Sequence, residues 1–310
     1  MDIKEKRVVN NVLFNLMGLK KGEKLLIVCD QPLYELGDLF FKGAEISGSD
    51  AVLIKYLPRQ IHGQEPPSIV AKALASSDVA LLITSKSLSH TKARKQASKK
   101  GVRIASLPGI TYDMAMRTLS FDYRKIKRKI ENCARRLTAA KKIEVKTKKG
   151  TNISFSVAKR KGFADTGIYN KKSAFGNLPP GEACIAPLEG TASGVIVVDG
   201  SIAGWGKVER LHRLYIKDGF LVVSQPEDFY KFLSQYGKNA KNLAEFGIGF
   251  NPRAKITGNV LEDEKVLNTC HFAFGTNISF GGKIDAQIHI DVVIFNPQIY
   301  LDGKLLKIGG

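Results

Sequence analysis

The run Lys24-Leu25-Leu26-Ile27-Val28-Cys29-Asp30 is apolar at five consecutive positions and closes on an acid. A strand with one wet face alternates apolar and polar residues. An unbroken run of this length therefore marks a strand covered on both faces, as in a parallel sheet. The flanks agree. Upstream, residues 5–19 set Val8, Val9, Val12, Leu13 and Leu16 on one helical face, and Gly18 and Gly22 end the segment. Downstream, residues 33–46 read as a helix and 51–54 as a strand. After Pro66-Pro67 come a helix at 68–76, a strand at 78–84, a helix at 87–100 and a strand at 102–106.

This alternation predicts an α/β domain of Rossmann or flavodoxin type, a parallel sheet with helices on both faces joined by right-handed crossovers. The glycine fingerprint of dinucleotide binding is missing, because Cys29-Asp30-Gln31-Pro32 follows the first strand, and no P-loop lysine motif occurs. Residues 121–142 read as one long helix whose basic, polar face suits a connector, which divides the chain into domains 1–142 and 143–310. Beyond 142 the pattern changes to short β-branched runs with glycine turns, such as Asn152-Ile-Ser-Phe-Ser-Val157 and Ala192-Ser-Gly-Val-Ile-Val-Val198. Asp199-Gly200 and Asp218-Gly219 carry the hairpin signal. With one helix at 226–240, the second domain is predicted as α+β with mainly antiparallel strands.

Composition excludes several classes. Hydrophobic residues at 44%, charged residues at 25% and a mean hydropathy of -0.10 describe a chain that can bury a core, not a disordered one. No apolar run approaches the roughly 20 residues of a membrane span. The start Met1-Asp2-Ile3-Lys4-Glu5-Lys6-Arg7 lacks the layout of an export signal. Cys29, Cys133, Cys184 and Cys270 are too scattered for a disulfide framework or a zinc knuckle, so a reducing cytoplasm is the expected compartment. The net charge of +19 is uneven: residues 1–150 hold 30 Lys and Arg against 14 Asp and Glu, whereas 151–310 hold 18 against 15. Most of the excess lies between Lys92 and Lys149. Such a segment can track a phosphate backbone, but it is also what a solvated helix face looks like. It lacks the interleaved aromatics of a nucleic-acid module apart from Tyr123.

The residues that can do chemistry gather late in the chain. In His289-Ile290-Asp291 the two polar residues are two apart, so on a strand they project from one face and can grip one cation. His271, in Cys270-His-Phe-Ala-Phe-Gly275, sits on another short strand that can run beside it. Lone histidines are more often satisfied core or surface groups, so the spacing alone is weak. Two acids in unusual settings add to it: Glu182 after Asn177-Leu-Pro-Pro-Gly181, and Glu245 before Phe246-Gly-Ile-Gly-Phe250. Burying a carboxylate alone is costly, so each pairs, binds metal or points to solvent. Asp263 and Glu264 read as a charged turn, and nothing pairs His62, His90 or His212 with a nucleophile.

Taken together these segments resemble the metal-dependent aminopeptidases of the aminopeptidase T and aminopeptidase S type. Asn177-Leu-Pro-Pro-Gly-Glu182 is similar to that family's first metal-glutamate segment and Leu243-Ala-Glu245-Phe-Gly-Ile-Gly to its second. His271 and His289-Ile-Asp291 follow in the family's order. The resemblance implies a cytoplasmic homodimeric metalloaminopeptidase, a hydrolase that removes N-terminal residues from peptides. It also implies two divalent ions (Zn, Co or Mn) held by Glu182, Glu245, His271, His289 and Asp291, with no catalytic residue assigned. Where that family often carries a tyrosine, seven positions after the first histidine, this chain has Ile278.

Two rivals use other parts of the pattern. His271, His289 and Asp291 alone form a two-histidine, one-carboxylate set that suits a single non-haem Fe(II), as in ring-cleaving dihydroxypyridine dioxygenases, which resemble the same aminopeptidases. A non-enzyme reading takes the basic segment as a nucleic-acid surface and the late cluster as vestigial.

Overall fold

In the computed structural model, which describes residues 1–308, five strands form the parallel sheet predicted from the first run. Their spatial order is Asp50–Tyr56, Lys24–Asp30, Val79–Ile83, Arg103–Ser106 and Phe175–Asn177. Lys24–Asp30 is buried at all but its first position and Val79–Ile83 throughout, as strands covered on both faces must be. Helices Tyr34–Glu45, Ser68–Ser76 and Lys92–Lys99 fall between the strands. The first helix is not uniform: Ile3–Asn10 is α-helical, then Asn11–Leu16 widens into π turns. The buried Asn11 amide at that junction donates to the carbonyls of Leu119 and Phe121. The fifth strand is too short to show a period, but Phe175 packs against the core and under the Arg94 guanidinium, 3.9 Å from its ring centroid.

Contacts divide the chain into two units: Met1–Tyr123 with Gly167–Pro180, and Arg124–Thr166 with the described residues from Gly181 onward. The second unit contains two seven-stranded antiparallel sheets. One runs Phe220–Gln225, His212–Lys217, Ser193–Val198, Asn152–Ser156, Lys142–Lys146, Gln298–Leu301, Lys304–Leu305. The other runs Gly206–Lys207, Ser201–Ile202, His289–Phe295, Thr269–Gly275, Leu243–Gly249, Glu182–Ile185, Phe163–Asp165. They meet through aromatic rings, Phe155 of the first lying 5.4 Å from Phe246 and 6.1 Å from Phe272 of the second.

The chain between these elements departs from the sequence expectation at three places. Asp218-Gly219 does close a hairpin, but Asp199-Gly200 does not: there the chain passes from one sheet into the other. Asp199 accepts the Phe295 N–H at 2.9 Å, and Gly200 lies so close to Val293 that a Cβ would meet its carbonyl oxygen at 2.7 Å. The helix at 226–240 is broken into Asp228–Ser234 and a turn at Lys238–Lys241, separated by Gly237 with φ of 82°. Finally, the basic helix Arg124–Ala139 has a buried stripe of Ile126, Ile130, Cys133, Ala134 and Leu137 that packs on the Glu182–Ile185 and Phe163–Asp165 strands. It is a core-facing amphipathic helix with its cations outward. No helix among the described residues is long and apolar enough to cross a membrane.

Candidate metal centre

Register alone puts the polar residues of the second sheet on one face. Phe163 pairs with Cys184 and Asp165 with Glu182. Glu245 pairs with Ala273, which pairs with Asp291, and His271 pairs with Gly247, while His289 pairs with Gly275. Cross-strand partners share a face and residues two apart share a face, so Asp165, Glu182, Glu245, His271, His289 and Asp291 all project the same way. Ile185, Phe246, Ile248, Phe272, Phe274, Val292 and Ile294 project the other way and are fully buried. An irregularity between Leu243 and Glu245 resets the register just before the acid, a common device for aiming a side chain. Gly247 keeps the face open, since a Cβ there would land on the His271 ring.

The five side chains singled out by sequence converge. Glu245 lies between the two imidazoles, Oε2 at 3.0 Å from His289 Nε2 and Oε1 at 3.8 Å from His271 Nε2. His271 Nε2 is 3.3 Å from Glu182 Oε2, and His289 Nε2 is 3.6 Å from Asp291 Oδ1. Donor atoms fall into three groups, each within 4.8 Å: Glu182, Glu245 and His271; Glu245, His289 and Asp291; Glu264, His271 and Asp291. His289 Nδ1 is 2.9 Å from the Thr276 carbonyl, to which its N–H donates, leaving the Nε2 lone pair for the pocket.

Three participants were not identified from the sequence. Lys265 is 1% exposed and its ammonium meets Glu182 directly, Glu264 Oε1 at 2.7 Å and Asp165 Oδ2 at 3.7 Å. Within Leu261-Glu-Asp-Glu-Lys265, only part of the charge forms a turn. Asp263 turns away, accepting from the Thr257 and Gly258 N–H groups at 2.7 and 2.9 Å, whereas Glu264 and Lys265 enter the pocket. Asp165 was hidden in a three-residue strand, where the only signal was an acid two positions after a phenylalanine. His62 and His212 lie elsewhere, His62 Nδ1 accepting the Ser87 N–H and His212 lying 3.6 Å from Asp228.

The electrostatics show a surplus of negative charge. Burial pushes the Glu182 carboxyl up, and pushes Glu264 up to about 8. Burial also opposes charge on Glu245, but hydrogen bonds from His271 and His289 hold its carboxyl far below the usual range. Burial disfavours an imidazolium at His271, yet the Glu245 hydrogen bond and the field of Glu182 lift it to about 9. Asp291 and Glu245 raise His289 well above its ordinary value against the same burial. Lys265 is similarly held charged against burial by Glu182, Glu264 and Asp165. Five carboxyl groups therefore share the pocket with one lysine and two imidazoles, and among the described residues Glu182 Oε2 and His271 Nδ1 have no hydrogen-bond partner. A buried acid surplus of this kind calls for cations, and imidazole with carboxylate is a donor set that divalent transition metals take. The residues fit a metal.

Comparison with known proteins bears on the choice that the donors alone left open. A family model described as NicX, 2,5-dihydroxypyridine 5,6-dioxygenase, matches residues 14–310. A 2,5-dihydroxypyridine 5,6-dioxygenase of Pseudomonas putida KT2440 is 25% identical over 77% of this chain and 72% of its own length. The solved structure of the dihydroxypyridine dioxygenase from that organism superposes with a TM-score of 0.83 at 18% identity, covering 97% of this chain and 94% of the other. AmpT from Thermus thermophilus superposes with a TM-score of 0.70 at 14% identity, covering 98% and 99%. The two superpositions establish a shared fold. The family match overturns the assignment to the aminopeptidase T and S type, and with it the expected hydrolase activity on peptides. The segments behind that resemblance build strands of a fold that both kinds of protein adopt; they do not specify the reaction.

Proposed function

The chain belongs to the 2,5-dihydroxypyridine 5,6-dioxygenase family, and from that premise we propose that it is a ring-cleaving dioxygenase acting on a dihydroxylated pyridine. In this reading both atoms of dioxygen enter the substrate as a ring carbon–carbon bond opens. The observation that carries it is that His271, His289 and Asp291 project from one sheet face, with an Asp291 oxygen within 4.8 Å of a ring nitrogen of each histidine, a two-imidazole, one-carboxylate set within a family of dioxygenases. These three residues would hold a single ferrous ion, with Glu245 between the two rings. When bound, ferrous iron supplies open coordination positions and one-electron chemistry for the reaction with dioxygen.

The chain's own residues do the rest. The Thr276 carbonyl fixes the tautomer and orientation of His289. Phe280 stacks on the His289 ring, with centroids 5.4 Å apart and planes at 22°, and Phe163 meets Phe280 edge-on at 6.1 Å. Phe163 lies on the same sheet face as Asp165, so the two rings form an apolar wall beside the donors, suited to a planar heterocycle. Glu264, with its carboxyl raised to about 8, holds a proton at neutral pH and is placed to exchange it with a ring hydroxyl.

The test is anaerobic loading with ferrous iron, followed by oxygen-electrode measurement on adding 2,5-dihydroxypyridine. Oxygen uptake coupled to loss of the ring's ultraviolet absorbance is expected. Iron-loaded protein that takes up no oxygen with any dihydroxypyridine would overturn the reading.

A further inference from the structure

The pocket holds enough donors for two metal ions, yet the dioxygenase reading asks for one. The carboxylates are not equivalent. Asp165, Glu182 and Glu264 gather around the Lys265 ammonium, whereas Glu245 and Asp291 gather with His289, and His271 stands between, 3.3 Å from Glu182 and 3.8 Å from Glu245. Lys265 has three carboxylate neighbours and is sealed from solvent, the surroundings of a coordinated cation, not of a surface lysine.

We propose that the Lys265 ammonium is a built-in substitute for a second metal ion: by occupying the Asp165, Glu182 and Glu264 half of the pocket it limits the chain to one divalent ion, on the side of His289 and Asp291. This rests on the single-ion reading above, but concerns ion count and not turnover. A lysine on a rigid backbone cannot exchange or dissociate. It therefore stays in contact with Asp165, Glu182 and Glu264 while leaving the other half to an exchangeable metal. A second divalent ion beside it would have to displace the ammonium from all three carboxylates, and the displaced charge would remain buried and unpaired.

The experiment is equilibrium dialysis of the metal-free protein against Mn(II), with elemental analysis and electron paramagnetic resonance of the retained ions. The wild type is expected to retain one ion per chain with a spectrum of isolated Mn(II). Lys265→Met is expected to retain two, with the spin coupling of neighbouring ions, and Lys265→Arg is expected to remain at one. Two ions in the wild type, or one in a Lys265→Met protein whose circular dichroism shows it folded, would overturn the proposal. If Lys265→Met does not fold, the wild-type and Lys265→Arg counts decide: one ion in each supports the proposal and two in either overturns it. A one-ion protein without oxygen uptake would defeat the dioxygenase reading and leave this one standing.

Discussion

Asp263 and Glu264 are neighbours in sequence and opposites in environment. The turn that holds Asp263 surrounds its carboxylate with donors: the Thr257 N–H and hydroxyl, the Gly258 N–H and the Ser201 side chain. The pocket one residue later offers Glu264 a lysine and places it within reach of His271 and Asp291, and among the described residues no backbone N–H donates to its carboxyl. A buried acid that serves the fold is satisfied by backbone N–H groups, which are fixed and always present. A buried acid left for cations is satisfied only when a cation arrives. The distinction separates structural from functional carboxylates where burial alone does not, since both kinds are desolvated.

The largest effect should come from making one substitution on each side of this divide. Asp291→Asn removes a charge from the donor set and is expected to weaken ferrous binding by ~100-fold or more, above what losing an outer-shell partner costs. Its urea midpoint should stay close to that of the metal-free wild type, as metal titration and denaturation would show. Asp263→Asn should do the reverse: the new amide N–H faces the Gly258 N–H, so stability falls by about 2 kcal/mol while the metal count is kept. A large metal loss in Asp263→Asn would dissolve the distinction.

The smallest effect concerns Glu189, which accepts from the Asn277 side chain and the Lys283 N–H, each at 2.8 Å, and from Arg160. Burial raises its carboxyl, but these bonds outweigh it and hold the group below its ordinary value. Its contribution is therefore present above the unfolded carboxylate pKa and is lost as pH falls through the lower folded value. Glu189→Gln should cost about 1 kcal/mol at neutral pH. The cost should shrink in acid, which denaturation at pH 7 and below pH 4 would reveal.

What the sequence disclosed follows from how strongly each feature repeats. The alternation through residues 24–106 is legible because the inner strands Lys24–Asp30, Val79–Ile83 and Arg103–Ser106 are buried almost throughout and the helices between the strands are long enough to show a period. Phe175–Asn177 and Phe163–Asp165 escape because three residues carry no period. Asp199-Gly200 misleads because the same tight backbone serves a sheet crossing as well as a hairpin. In the pocket, Glu182, Glu245, His271, His289 and Asp291 stand out as polar residues in apolar strands. Glu264 and Lys265 are masked by an acidic neighbourhood that looks like a surface turn. The reaction class was not legible, because carboxylates and imidazoles on this framework suit hydrolysis and oxygen chemistry alike.

The strands of the second sheet interleave two messages, alternate positions addressing the pocket and those between them the aromatic interior. Since neither set of letters touches the other, one can be rewritten while the other is left alone. Such a scaffold can exchange its catalysis for another by a few substitutions without having to be refolded around them.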